Sequence, residues 1–178
     1  MTGAATHSPA TAPGTVGWEV RPAREGDASA VAAAVAALVA ELGGSPPPRV
    51  AIEAEARAHI ADPSLGIVLV AEMRSQLSPH SEAKCELVGV LTASWARAIQ
   101  VAGRLLTIEV LWTRREWRDR GVGAALVEAL AAAAGAEGAG RVEVGLPRES
   151  FTALRATERF YLANGFERLG PRMRRAVP

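Results

Sequence analysis

The pattern of apolar and polar positions changes period several times along the chain, and each change marks an element. Residues 18–21 read as a short strand stopped by Pro22. Asp27 is placed to cap a helix, on which Val31, Val35, Leu38 and Leu42 recur at helical spacing until Gly43 and Gly44 end it. Pro46, Pro47 and Pro48 form a stiff connection. A second helix is predicted over residues 49–61, with Ile52, Ala56 and Ile60 inward and Asp62 and Pro63 closing it. Residues 66–73 are a nearly continuous apolar run of strand length, and residues 74–84 carry the Ser, Pro and charge of an exposed hairpin loop. The next strand covers residues 85–95, with Gly89 as a candidate bulge. Ala102 and Gly103 turn the chain into a fourth strand over residues 104–113. A helix over residues 121–134 carries Val122, Leu126, Leu130 and Ala133 on one stripe, and Gly135, Gly138 and Gly140 break it. A fifth strand (141–146), a helix (151–164) closed by Asn164 and Gly165, and a last strand (166–174) complete the pattern.

The order β-α-α-β-β-β-α-β-α-β mixes hairpins with crossover helices. It predicts an α/β (α+β mixed) fold, with a mixed sheet and helices on both faces. A chain of 178 residues fits one domain. That domain is expected over residues 18–178, after a tail (1–17) whose Ala, Thr, Pro and Gly predict disorder. The tail lacks the basic and apolar regions of a secretory signal. With no apolar run approaching about 18 residues, no membrane span is expected, and the cytoplasm is the default location. A net charge of +1 gives no field suited to nucleic acid or an anionic membrane. Cys85 is the single cysteine, so no intramolecular disulfide is possible.

One segment carries candidate chemistry. Arg118-Asp119-Arg120-Gly121-Val122-Gly123 stands between a predicted strand and a predicted helix. Glycines there let backbone approach a ligand, and a helix start offers unpaired N–H groups and partial positive charge. Together these suit a pyrophosphate, and Arg114, Arg115, Arg118 and Arg120 add charge. The absence of Gly-Lys-Ser/Thr excludes a nucleotide-triphosphate loop, and the spacing is not that of a dinucleotide fold. Glu109 interrupts an apolar strand, and simple alternation puts it on one face with Leu111 and Thr113. His7, His59 and His80 are scattered without metal-ligand spacing, so no metal is expected, and His59 reads as a helix-surface residue. Trp95 and Trp112, on neighbouring strands, are either core or the lining of an acceptor pocket.

The run from Leu111 to Leu126, with Arg118-x-x-Gly121-x-Gly123 inside it, resembles the acetyl-CoA motif of the GCN5-related N-acetyltransferases (GNAT). Phe160-Tyr161-Leu162-Ala163-Asn164-Gly165-Phe166 resembles that family's second signature, and residues 20–27 resemble its first strand and helix cap. The resemblance implies a GNAT-like, mostly antiparallel central sheet and transfer of acetyl from acetyl-CoA to a primary amine in a ternary complex. It implies donor contacts at Leu111, Trp112, Thr113, Arg118, Asp119, Arg120, Gly121, Val122, Gly123 and Ala124. Amides from Arg120 to Ala124 would hold the pyrophosphate. Tyr161 matches the family's usual general acid, and Glu109 is the candidate base acting through water. The family's frequent Asn is Leu154 here, Thr157 replaces a common Ala, and Arg115 replaces a common Pro. The acceptor is a small-molecule or peptide amine. Glu109, Glu41, Glu53 and Glu55 are compatible with a cationic small molecule such as an aminoglycoside or polyamine, and a protein N-terminus or lysine is equally allowed. Dimers are common in that family, so a homodimer is admitted. The competing reading is a non-catalytic acyl-CoA-binding or sensory module on the same fold.

Overall fold

The computed structural model describes residues 17–73 and 86–170. Strands β1 (Trp18–Pro22), β2 (Gly66–Met73), β3 (Glu86–Ala98), β4 (Gly103–Thr113) and β5 (Arg141–Val144) form one sheet in that spatial order. Neighbours are antiparallel except β4 and β5, which are parallel and joined through helix α3 (Val122–Ala136). Helices α1 (Ala28–Glu41) and α2 (Arg49–Ala61) fill the β1–β2 connection, and α4 (Leu154–Ala163) follows β5.

Each sheet face has its own apolar layer. Leu69, Ala71, Leu91, Ala93, Leu106 and Ile108 meet Val122, Leu126, Leu130 and Tyr161 on the face of α3 and α4. Val68, Val70, Leu87 and Val90 meet Ala28, Val31, Ala34 and Ala56 on the face of α1 and α2. Adjacent residues of one strand therefore serve opposite layers, which explains why β2 and the first half of β3 read as unbroken apolar runs. Full burial of each Leu or Val contributes about 1.5–3 kcal/mol.

Gly89 is not itself the bulge. Ala71 pairs with Gly89 and Glu72 with Leu87, so Val88 is the extra residue. Gly89 is needed for a different reason. A Cβ there would lie 2.7 Å from Val122 Cγ1 and 2.9 Å from Leu126 Cδ1. Its absence lets the first turns of α3 sit directly on the sheet.

Asp27 is not a cap of α1 in the expected sense. Its carboxylate accepts the Arg24 N–H at 2.7 Å and makes no side-chain bond to the start of α1. It also takes two bonds from Arg21 Nη1 and Nη2, at 2.6 and 3.1 Å, while Arg21 Nε donates to Glu72 at 2.5 Å. This largely enclosed cluster joins β1, β2 and the turn before α1. By contrast, Gly43 and Gly44 end α1 as expected. Gly43 N–H bonds Ala40 C=O and Gly44 N–H bonds Val39 C=O, both at 2.9 Å, with Gly43 at φ +74.

Residues 166–170 form no strand, so the expected last strand is absent over that part, and 171–178 lie outside the described residues. The expected tail (but for Gly17), the hairpin loop 74–84 and Cys85 also lie outside them.

Two outcomes test this frame. Gly89→Val is expected to destabilise the protein by about 1–3 kcal/mol through overpacking under α3, read from the urea midpoint. Asp27→Asn is expected to lose about 1.5–3 kcal/mol at neutral pH, the range for hydrogen bonds to a charged group. Burial pushes the Asp27 carboxyl up, but Arg21 and the Arg24 N–H more than offset this and hold it below the usual carboxylate value. Its contribution is therefore present above the unfolded value and is lost as pH falls through the lowered folded one. The Asn variant should lack that part of the acid-side loss.

Candidate functional site

The site is built where β4 and β5 part. Their parallel pairing runs from Leu105↔Arg141 to Ile108↔Val144 and stops. β4 continues to Thr113, so residues 109–113 have no strand on that side. The parting coincides with a bulge. Thr92 pairs with Val110 and Ala93 with Ile108, which leaves Glu109 as the extra residue.

The bulge corrects the alternation expected for Glu109. Leu91 pairs with Leu111 and Ala93 with Ile108, so Leu111 and Ile108 share the face of α3 although they are three positions apart. Glu109, next to Ile108, therefore lies on the opposite face from Leu111 and Thr113. Trp112 packs with the α1–α2 layer. Glu109 is exposed, and among the described residues its carboxylate has no ion-pair partner. The other carboxylates considered for a cationic acceptor are engaged. Glu41 pairs with Arg118, Glu53 with Arg57 at 2.7 Å and Glu55 with His59 at 3.3 Å.

Beyond β4 the chain makes a short turn of 3-10 helix (Arg115–Trp117) and then the glycine-containing loop. Arg118 is extended, while Asp119 (φ +59) and Gly121 (φ +82) are left-handed. Such alternation turns successive N–H groups toward a common point. The first bond into α3 is Ala125 N–H to Gly121 C=O at 3.0 Å. The amides of Gly121, Val122, Gly123 and Ala124 precede it and have no backbone acceptor. A Cβ at Gly123 would press on the Phe160 ring at 3.3 Å and approach Thr113 Oγ1 at 3.7 Å. That glycine lets β4, α3 and α4 converge.

The arginines of this stretch are not equivalent. Arg114 pairs with Glu86. Arg118 donates Nε to Thr113 C=O at 3.1 Å and Nη2 to both oxygens of Glu41. Arg120 lies over the Trp117 ring, 5.2 Å from its centroid, and its charge is uncommitted, as is that of exposed Arg115.

Tyr161 is placed by the end of α4. Gly165 N–H bonds Leu162 C=O at 3.2 Å, and Phe166 N–H bonds Tyr161 C=O at 3.1 Å, with Gly165 at φ +83. This is the Schellman arrangement, whose usual apolar contact joins the residue after the glycine to the one four positions before it. Here that contact is Phe166 edge-on to Tyr161, ring centroids 5.2 Å apart, and Phe160 packs at the same distance. The Tyr-x-x-x-Gly-Phe spacing is thus a helix-ending device that also fixes a tyrosine. The ring is buried on the α3 face, and among the described residues its hydroxyl has no hydrogen-bond partner. Burial pushes its pKa up to about 12. Thr157 bonds back to Ala153 C=O at 3.1 Å, so its hydroxyl is already used within α4.

Residues 66–168 match the family model described as an acetyltransferase (GNAT) domain. The chain belongs to that family. No curated protein matches this GNAT chain by sequence. Among solved structures it is similar to the aminoglycoside N-acetyltransferase AAC(6')-Iy in complex with CoA, with a TM-score of 0.73 and 14% identity over 94% of this chain and 99% of that one. It is similar to a possible acetyltransferase from Clostridium difficile 630, with a TM-score of 0.71 and 17% identity over 90% and 98%. It is also similar to glucosamine-6-phosphate N-acetyltransferase from Arabidopsis thaliana, with a TM-score of 0.66 and 12% identity over 91% and 99%. At such identities these likenesses establish the fold.

Other expectations divide. Trp95 and Trp112 do not line one pocket in this GNAT domain. Trp95 packs toward the α3 layer, donates to Pro63 C=O at 3.1 Å and takes the Arg104 guanidinium over its ring at 3.8 Å. Trp112 faces α1, beside a cavity of about 260 Å³ bounded by Ala33, Leu87 and Arg114. His59 is not a free surface residue. It is half-buried, with Nε2 3.4 Å from Ser94 Oγ. No cluster of metal-ligating side chains occurs among the described residues, and none of their helices is long and apolar enough to cross a membrane. Sequence reasoning missed the Glu41–Arg118 pair, because nothing local marks two residues 77 positions apart as partners.

Tyr161 is the only tyrosine in the chain. An alkaline difference-absorbance titration therefore reports this one phenol. The expected midpoint is about 12. A midpoint near the ordinary 10 would mean that the ring is open to water.

Proposed function

We propose that the chain is an acetyl-CoA-dependent N-acetyltransferase, in which a primary amine attacks the thioester directly within a ternary complex. The observation that carries this reading is the convergence of three features: the free amides at the start of α3, the unpaired edge of β4 beyond Ile108, and the hydroxyl of the buried residue Tyr161 on the α3 face. Each suits a different part of one thioester.

Amides from Arg120 to Ala124 hold the pyrophosphate, with Asp119 shaping the loop and Arg120 adding charge. The edge of β4 from Leu111 to Thr113 pairs with the pantetheine arm as a further strand would. One of its amides polarises the thioester carbonyl, as an oxyanion donor does. An amine near pKa 10 must first lose a proton. Glu109, exposed and unpaired, takes it through water on the face of α1 and α2. The amine nitrogen then bonds the carbonyl carbon, and the carbon–sulfur bond breaks. Tyr161, on the opposite face, protonates the departing thiolate, and the second proton on the acylated nitrogen leaves through water to restore the phenol. Base and acid thus act from opposite sides of the sheet. A tyrosine at about 12 is neutral at physiological pH. A thiol's ordinary value, near 8.5, lies well below that. Enclosure in the loaded site also raises the thiolate's affinity for a proton, which offsets part of that gap.

The acceptor is a small-molecule or peptide amine reaching Glu109 from the side of α1 and α2. The relatives' aminoglycoside and hexosamine phosphate acceptors lend support to amines in general rather than to one amine.

Acetyl-CoA is expected to raise the melting temperature. In a thiol-release assay across an amine panel, Tyr161→Phe should lower kcat by about 10²-fold or more, within the range for general acid catalysis, while acetyl-CoA affinity is kept. Binding of acetyl-CoA by the wild type without thiol release from any amine would favour a non-catalytic acyl-CoA sensor instead. No thermal shift at all would remove both readings.

A further inference from the structure

Arg118 opens the loop into α3, and by charge alone it would be a phosphate ligand. Its Nε and Nη2 donors are already committed. Nε lies 3.1 Å from Thr113 C=O, and Nη2 lies 2.9 and 2.7 Å from the two oxygens of Glu41. Glu41 is the last residue of α1. One residue later, Leu42 C=O accepts Arg148 Nη2 at 3.1 Å, from the segment that follows β5. The end of α1 is therefore tied to the chain after β4 on one side and to the chain after β5 on the other. Those are the two strands that part at Ile108 and Val144, so the ties span the opening between them.

The loop next to this tie needs support. Asp119, immediately after Arg118, holds φ +59 without being glycine. Asp tolerates this conformation better than most side chains do, yet holding it still gains from a constraint in the surroundings. The two anchors of Arg118 supply that constraint at the adjoining residue.

We infer that Glu41 is a positioning residue of the donor site: through Arg118 it holds the 118–124 loop in its anion-accepting shape and joins it to the α1–α2 connection. Arg118 is then a strut, not a phosphate ligand, and the loop's uncommitted charge is that of Arg115 and Arg120. This inference rests on the acetyl-CoA reading above. A loop that is already ordered loses less freedom on binding, so removal of the strut weakens the donor complex without removing any contact to it.

Strut and ligand predict opposite signs for one variant. CoA affinity is measured by calorimetry for wild type, Glu41→Ala, Arg118→Gln, Arg118→Lys and the Glu41→Ala/Arg118→Gln double variant. As a strut, Glu41→Ala and Arg118→Gln each weaken CoA about two- to five-fold, the scale of an exposed, well-formed ion pair. The double variant is no weaker than either single one, because both remove the same link. Arg118→Lys resembles Arg118→Gln, since an ammonium cannot span Thr113 C=O and both carboxylate oxygens. As a phosphate ligand held back by Glu41, Arg118 would be released by Glu41→Ala, CoA would bind more tightly, and Arg118→Lys would resemble wild type. Tighter or unchanged binding by Glu41→Ala, or additive losses in the double variant, overturns the inference alone. A wild type that binds no CoA overturns the reading of the site and this inference with it. The side chains of Arg118 and Glu41 are 40% and 42% exposed, so unliganded melting temperatures should stay close to wild type.

Discussion

The separation of β4 from β5 is the constraint around which this molecule is arranged. A parallel pair that continued past Ile108 and Val144 would use every backbone group of β4 on that side. The extra residue at Glu109 changes the course of β4 at the point where the pairing ends. It leaves an edge with unsatisfied N–H and C=O groups inside a folded domain, which is normally avoided. An edge kept open within a well-packed sheet is a place for something else to pair. The glycine-containing loop and the start of α3 lie at the end of that edge, so a ligand along it meets free amides where β4 stops.

Glycines set how closely the walls of this opening approach. Gly89 brings α3 down onto β3, because any side chain there would meet Val122 and Leu126. Gly123 does the same between α3 and Phe160. Gly165 ends α4 so that Phe166 turns back on Tyr161. Small side chains at three unrelated points of the chain therefore fix one distance, that between the amides of α3 and the phenol of α4. The aromatic trio that results is a hydrophobic enclosure, and that enclosure raises the Tyr161 pKa. Packing and acid–base behaviour share one cause here.

Much of this was legible in the sequence because it is local. The bounds of α2 and β2, the Gly43 end of α1 and the Gly165 end of α4 follow from periodicity and helix-ending chemistry within a few residues. The 118–123 motif announced a helix start suited to an anion. What was not legible involves counting or distance. A period of two cannot reveal that Glu109 is an extra residue, because the bulge exists only relative to Thr92 and Ala93 on another strand. Every face assignment beyond it was therefore inverted relative to Glu109. Trp95 and Trp112 were separated onto opposite layers for the same reason. The carboxylate of Asp27 went to Arg21 and the Arg24 N–H rather than to the helix it precedes, because an arginine on the neighbouring strand offers a charged donor.

Charge was the least transferable sequence signal. The run from Arg114 to Arg120 suggested a strongly cationic phosphate site. Arg114 and Arg118 are instead neutralised by Glu86 and Glu41. The positive potential offered to a ligand then comes from oriented amides and from Arg115 and Arg120. The same pairing takes up Glu41 and Glu53, Glu55 lies beside His59, and Glu109 is left without an ion-pair partner among the described residues. An arginine that would count as a ligand by composition becomes, through its partner, part of the frame. The end of α1 and the loop before α3 are then linked by one ion pair between residues 77 positions apart.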